Sequence, residues 1–520
     1  MRLIPEKNAI VFSLKHPQRV LTAIPTAREL KHPAYNVAIP HGLEETRLLR
    51  NLGMAIPSPI HYQYEWPGKF EPFKAQKQTA AMLSVSNRAF VLNEVGTGKS
   101  MGVLWAYDFL RSQGFAGSLL ISAPLSTLER TWADEIFFNL PHLNFSVLYG
   151  SKAQRRRALK AEADVYIINH HGIEVILDDL MKREDITHVV VDELAVLRNN
   201  RTDLWKTHNA VVNKSALPRA CWGLTGTPTP NHPTDAWAQS KLVTPDTAPR
   251  SFMKFRDMTM QQLGPYKWVA RRNAMEIVQS IMVPAVRYTR DECMDLPDCM
   301  YESRTVELSP EQTKAYKSMA TQLVAEADKG QILAVNEAVK ANKLVQIACG
   351  VAYNTDGDEV LINAKPRISE LLAILSQSTH KVIVFVPYVS TITMVSSKVR
   401  DAGHTCEVIY GGVPKNARDQ IFSDFQRQPN PRVLVAQPAA MSHGLTLTQA
   451  NTIVWYGPVM SNDIYEQANG RITRPGQVNK QFIIHLEGTP IERRIYKRLK
   501  DKQSLQGVLL EAVKKDRLAA

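Results

Sequence analysis

The sequence predicts an α/β fold: two lobes, each a doubly wound parallel sheet, with a mainly helical insert between them and a small extension in front. Three observations predict it. Short apolar runs recur at 89–92, 118–122, 165–168 and 188–191, and again at 381–386, 406–410, 432–436 and 452–455. Helical stretches separate the runs, which is the rhythm of parallel strands with helices on both faces. From 246 to 360 that rhythm stops, and helix formers dominate with Met and Arg scattered among them.

Residues 1–70 form the extension. The run at 9–12 is a strand candidate, 43–52 reads as a short helix, and Pro57, Pro59 and Pro67 punctuate a connector. Residues 71–245 form the first lobe. Its runs are apolar throughout instead of alternating, as expected of strands buried on both faces. The insert spans 246–360, with helices expected over 311–327 and 332–345. The second lobe spans 361–490, and a charged amphipathic helix is expected over 491–520.

Composition narrows the class. Of 520 residues, 44% are hydrophobic and 22% charged, as in globular domains. No apolar stretch is long enough for a membrane span, so no membrane partner is expected. The first residues place a charge and Pro5 where a signal peptide needs its apolar core. The expected location is therefore cytoplasmic, the host cytoplasm if the source is viral. The five cysteines form no C-x-x-C pair, which argues against a zinc site and a disulfide framework. The net charge of +13 favours a polyanionic partner, and nucleic acid is the commonest.

The chemistry-bearing residues fall at the ends of the apolar runs. Asn93, Glu94, Val95, Gly96, Thr97, Gly98, Lys99 and Ser100 follow the run at 89–92, and a helix pattern follows them. Strand, glycine-rich turn and helix is the setting of a phosphate-binding loop. Its glycines let backbone N–H groups approach phosphates, and the helix N-terminus adds positive potential. In such a loop Lys99 reaches the β- and γ-phosphates and Ser100 binds Mg²⁺. The first glycine of the general pattern is replaced by Asn93. Asp192 and Glu193 close the run at 188–191, on the edge of a parallel sheet that faces a ligand crevice. Asp192 is placed to hold Mg²⁺, and Glu193 to orient and deprotonate a water. Gly223 to Pro228 form a compact Thr/Gly turn. Arg471 and Arg474 share a helical face in the second lobe, where they can neutralise charge on a transferring phosphoryl group.

In order, these segments resemble a superfamily 2 helicase-type ATPase of the Snf-type branch, which includes chromatin remodellers and HARP-type annealing helicases, in a compact version similar to those of bacteriophages. The resemblance covers roughly residues 70–500. Phe73 to Gln76 resembles the adenine-reading segment, with Gln76 as the reader. Residues 93–100 resemble motif I. Ser122 to Ser126, with Trp132 and Glu135, resembles motif Ia, and Asn169 to His171 falls in the motif Ib region. Asp192-Glu193-Leu194-Ala195 resembles the D-E-A-H motif, and Leu224 to Pro228 with Asn231 resembles motif III. Val384-Phe385 resembles motif IV, and Tyr410 to Gly412 with Arg418 and Phe425 the segment after it. Ser442 to Leu447 with Ala450 resembles motif V. Gln467, Arg471, Arg474 and Gln477 resemble motif VI.

The resemblance implies RecA-like lobes with ATP and Mg²⁺ between them. It implies catalytic roles for Lys99, Asp192, Glu193, Gln467 and the arginine fingers Arg471 and Arg474. Nucleotide would be held by Gln76 and residues 94–100, and metal by Ser100 and Asp192. It further implies a DNA helicase or translocase, bound mostly to DNA backbone, acting in replication, recombination or repair, with proteins of those processes as possible partners and a monomer favoured. An ATP-dependent RNA helicase and an ATP-gated binding subunit without productive unwinding are the alternatives. Arg155 to Arg157 and Lys497-Arg498 are candidate extra contacts, with solvated helix faces the better reading. Two departures stand out. Ala195 replaces the histidine that couples the ATP site to motif VI, so coupling has to use another group, with Gln467 a candidate. The span between the lobes is also short, with little room for remodeller inserts.

Overall fold

The computed structural model describes residues 1–217, 219–230, 232–264, 267–293, 297, 299–328, 334–353, 358–441, 446–474 and 476–499. Two parallel sheets organise it. The first has seven strands in the order Ala285–Val286, Arg88–Val91, Ala220–Leu224, Ile186–Val191, Ser118–Ala123, Val165–Asn169 and Phe145–Leu148. Every neighbouring pair is parallel. Side chains alternate between two cores. Ala89, Val91, Leu119, Ile121, Val165, Ile167 and Trp222 enter one. Phe90, Leu92, Leu120, Tyr166, Ile168, Val189 and Cys221 enter the other. A strand buried on both faces has no polar side to display, which is why these runs are continuously apolar.

The second sheet has six parallel strands in the order Cys299–Thr305, Gln481–Glu487, Ala450–Trp455, Lys381–Phe385, Val433–Ala436 and Cys406–Ile409. Its core includes Ile383, Phe385, Leu434, Ile453, Trp455 and Ile483. An ion pair between Arg367 and Glu492, at 2.8 Å with both side chains almost fully buried, ties the helix Lys365–Gln377 to the last helical turns. The two-lobed α/β class expected from the sequence is therefore present.

The region between the lobes is more than helical. It contributes Ala285–Val286 to the edge of the first sheet and Cys299–Thr305 to the edge of the second. It also carries an antiparallel pair, Met260–Gly264 with Lys267–Ala270. Neither sheet-edge strand carries an apolar run, because one is two residues long and the other, CMYESRT, is largely polar. The helices expected there span Pro310–Asp328 and Ala334–Ala348. Residues 490–499 are helical, and the rest of the expected tail helix lies outside the described residues.

The extension is a four-stranded antiparallel sheet, Arg2–Ile4, Ala9–Phe12, Tyr35–Pro40 and Arg28–His32 in spatial order, around Ile10, Phe12, Val37, Ile39 and Leu49. It meets the first lobe through Arg47, which donates to the Ser84 carbonyl at 2.9 Å, and through the Ser58 and Ser84 hydroxyls at 2.7 Å. No helix among the described residues is long and apolar enough to cross a membrane.

Candidate nucleotide site between the lobes

The loop 93–98 leaves the strand Arg88–Val91 and enters the helix Lys99–Ser112. Gly96 and Gly98 hold φ of +92° and +72°, a left-handed backbone that side chains resist. Both positions are also crowded. A Cβ on Gly98 would lie 2.1 Å from Gln76 Nε2, and one on Gly96 would lie 3.3 Å from the Thr473 carbonyl of the second lobe. Lys99 Nζ donates to the Asn93 and Glu94 carbonyls at 3.0 and 3.2 Å. Burial lowers the Lys99 pKa, while Glu193 and Asp192 work against that shift.

Asn93 has a structural role that a glycine lacks. Its amide donates to Thr79 Oγ1 at 3.0 Å and accepts from the Tyr288 N–H at 2.9 Å, both in the buried interior. Glu94 turns its carboxylate toward Arg287 Nη2 at 2.9 Å and the Arg290 N–H at 3.0 Å. Burial opposes its charge, yet Arg287 and Arg290 hold the Glu94 carboxyl below its ordinary value. Glu94 therefore meets the loop interior through its carbonyl, which also accepts from Thr97 Oγ1 at 2.9 Å. Gln76 caps its own helix by accepting from the Phe73 N–H at 2.9 Å, and its amide lies 3.3 Å from the Gly98 carbonyl.

Asp192 and Glu193 follow the strand Ile186–Val191. Trp132 Nε1 donates to Asp192 Oδ2 at 3.1 Å, and the Glu193 N–H donates to Oδ1 at 3.0 Å. Burial raises the Asp192 pKa, opposed by Lys99 and Trp132. Glu193 sits at φ +50°, a rare backbone for a side-chain-bearing residue. Burial and then Asp192 push its carboxyl up to about 8, against Lys99 and Arg471. Leu194 is fully buried and lies 2.5 Å from where a Cβ on Gly223 would stand, so the apolar departure from the histidine motif packs into the lobe.

The second lobe closes the site. Arg471 is almost fully buried; burial, then Arg474, drives its pKa well below the ordinary value, while Glu193 opposes this. Burial and Arg290 push Arg474 down to about 10. The Arg474 side chain passes 3.5 Å from the Cβ position of Gly96. Across the cleft, Thr227 Oγ1 donates to Asp463 Oδ1 at 2.9 Å, and Gln467 Nε2 donates to the same oxygen at 3.1 Å.

The structure thus brings together Gln76, Lys99, Asp192, Glu193, Gln467, Arg471 and Arg474 around the loop of residues 94–100. Asn231, residues 442–445 and Pro475 lie outside the described residues. Arg155 is buried and spent on the Gly150 and Leu148 carbonyls and Asn169, whereas Arg156 is exposed and pairs with Asp179 at 2.7 Å. Lys497 and Arg498 are exposed. Sequence reasoning missed Arg287, Arg290 and Asp463, and it gave Trp132 no role in the site. Only Asp463 carried a legible signal: it stands one helical turn before Gln467.

Comparison with known proteins gives the family. The helicase conserved C-terminal domain model matches residues 365–476. Protein p41 of Acyrthosiphon pisum secondary endosymbiont phage 1 is 26% identical, covering 82% of this chain and 95% of that protein. The ATP-dependent DNA helicase DDM1 of Arabidopsis thaliana is 24% identical over 80% of this chain, and the match spans 58% of DDM1. An uncharacterized ATP-dependent helicase of Mycoplasma pneumoniae is 24% identical over 79% of this chain and is spanned to 39% of its length. The chain therefore spans nearly all of the phage relative and less than two thirds of each of these cellular ones. The Sulfolobus solfataricus SWI2/SNF2 ATPase core in complex with dsDNA aligns over 86% of this chain and 94% of that one, at 22% identity and a TM-score of 0.41. With the SNF2-related domain model matching residues 72–349, more than half of its length, the chain belongs to the SNF2-related family of superfamily 2 helicase-type ATPases.

Proposed function

We propose that the protein hydrolyses ATP in response to DNA and uses the opening and closing of its two lobes to move along the duplex. One observation carries the reading: arginines from the second lobe reach the phosphate-binding loop and acid pair of the first. The Arg474 side chain passes 3.5 Å from where a Cβ on Gly96 would stand, and Glu193 lies in the field of Arg471. A site complete only when two lobes meet ties turnover to lobe movement.

The donor set fits a magnesium-bound triphosphate. Lys99, Arg471 and Arg474 are the cations, and the helix Lys99–Ser112 offers its N-terminus. Asp192 and Ser100 would hold Mg²⁺, which neutralises charge on the phosphates when bound. Glu193 would take the proton of the attacking water. Its carboxyl, pushed up to about 8, is placed near the working pH, where a general base is most effective. Gln76 would meet the base of the nucleotide, beside the loop it already touches.

DNA is the favoured track on three counts. The chain carries +13 net charge, motif VI has Snf-type character, and the relative DDM1 bears the name of a DNA helicase. Contacts would be mostly to phosphate, so binding should fall steeply with salt. The test is ATP turnover by the full chain with and without duplex DNA, single-stranded DNA and RNA, with Lys99→Ala as control. Stimulation many-fold by duplex DNA, lost in Lys99→Ala, supports the reading. Turnover indifferent to all three, or stimulated by RNA alone, overturns it.

A further inference from the structure

The fourth residue of the acid motif, Ala195, offers a methyl group where the resembling pattern has a histidine. It makes no side-chain hydrogen bond to the second lobe. A different bond crosses the cleft. Thr227 Oγ1 donates to Asp463 Oδ1 at 2.9 Å, between residues 236 positions apart in the chain. The same Asp463 oxygen accepts from Gln467 Nε2 at 3.1 Å.

Both ends of this link are anchored. Thr227 follows the strand Ala220–Leu224, which pairs with the strand leading to Asp192. Its N–H is held by Thr225 Oγ1 at 3.1 Å, and the residue is almost fully buried. Asp463 lies in the first turn of the helix Asn462–Asn469, whose N-cap Ser461 accepts from the Ile464 N–H at 3.4 Å. That helix carries Gln467 one turn later and leads directly into Arg471 and Arg474. Around Asp463 stand Thr227, Lys99 and Arg198 from the first lobe and Gln467 from its own helix, and its charge is felt in turn by Glu193. One carboxylate oxygen therefore joins the turn beside the acid pair to the helix that delivers the arginines.

We propose that Asp463 is the positioning residue that couples the two lobes. It accepts the Thr227 hydroxyl and holds Gln467, so that Arg471 and Arg474 enter the site in register with closure. This inference rests on the proposed ATP-driven reading of the same site. It assigns the coupling role to a residue outside the acid motif, with Gln467 as its partner on the helix.

The test uses the full chain with duplex DNA and four variants: Asp463→Ala, Asp463→Asn, Thr227→Val and the double Thr227→Val/Asp463→Ala. Loss of a charge-assisted hydrogen bond should lower DNA-stimulated kcat about 10- to 100-fold in Asp463→Ala. KM for ATP should stay within about twofold, the signature of an interaction that matters after binding. Asp463→Asn keeps an acceptor oxygen at the same place and should recover most of the loss. Thr227→Val should lose turnover similarly, and the double variant should lose no more than the worse single. Three results would overturn the proposal: full stimulated turnover in Asp463→Ala, losses that multiply in the double variant, or a raised KM at unchanged kcat. If Asp463→Ala does not fold, Thr227→Val and Asp463→Asn decide the matter, because both preserve volume. Wild-type turnover that ignores DNA would instead defeat the proposed function. The coupling between Thr227 and Asp463 would then be read on DNA-independent turnover, where additive losses would overturn it.

Discussion

Replacing Glu193 by Gln separates the electrostatic cost of the site from its chemistry. Burial and the adjacent Asp192 push the Glu193 carboxyl from its ordinary 4.5 up to about 8. In that window the folded protein keeps a proton that the unfolded chain has released. Stability therefore falls as pH rises toward the folded-state value, and the stabilising contribution is complete only below the unfolded one. Gln has no proton to lose and escapes the penalty. Between pH 6 and pH 8, at ~1.36 kcal/mol per pH unit, the wild type should lose about 2–3 kcal/mol relative to Glu193→Gln. For a lobe-sized cooperative unit that corresponds to roughly 4–10 °C in unfolding midpoint. The assay is thermal unfolding of both proteins without nucleotide at the two pH values, with turnover measured in parallel. Glu193→Gln should gain in midpoint on the wild type as pH rises and should lack turnover at both. Midpoints that move in parallel within about 2 °C would refute the reasoning.

Other predictions follow from single contacts. Asn93→Gly restores the glycine of the general loop pattern but strips the Tyr288 N–H and Thr79 hydroxyl of a buried partner. It should cost about 1–3 kcal/mol in denaturant unfolding. Glu492→Ala leaves the Arg367 guanidinium buried without its counter-ion, and should destabilise the second lobe by about 3–5 kcal/mol, read as an early unfolding transition. Trp132→Phe keeps the packing but removes the hydrogen bond that orients Asp192, and should lower kcat about tenfold with the fold intact by circular dichroism.

Much of this architecture was legible because burial on both faces writes itself into sequence. The runs at 89–92 and 165–168 are apolar throughout, and all lie inside the first sheet. Edge strands are written differently. Phe145–Leu148 is only partly buried and Cys299–Thr305 mostly exposed, so neither carries a continuous apolar signal. The glycine-rich turn and the acid pair were legible because Gly-x-Gly-Lys after one apolar run and paired carboxylates after another stand at strand ends, where the structure also has them. What escaped was long-range pairing. Arg287 reaches Glu94 across 193 positions, and Thr227 reaches Asp463 across 236. No local pattern marks such partners. Arg155 illustrates the reverse error: three consecutive arginines read as one charged face, yet the first is buried and spent on backbone carbonyls.

The central claim is that one ATP site is assembled from both lobes, and Arg471→Ala tests it most directly. The measurement is ATP affinity and DNA-stimulated turnover on the same preparation. The account predicts binding within about threefold of wild type and turnover reduced about 10³-fold or more, as for the loss of an arginine finger. Turnover preserved within a few-fold would contradict it, because the first lobe would then be acting alone.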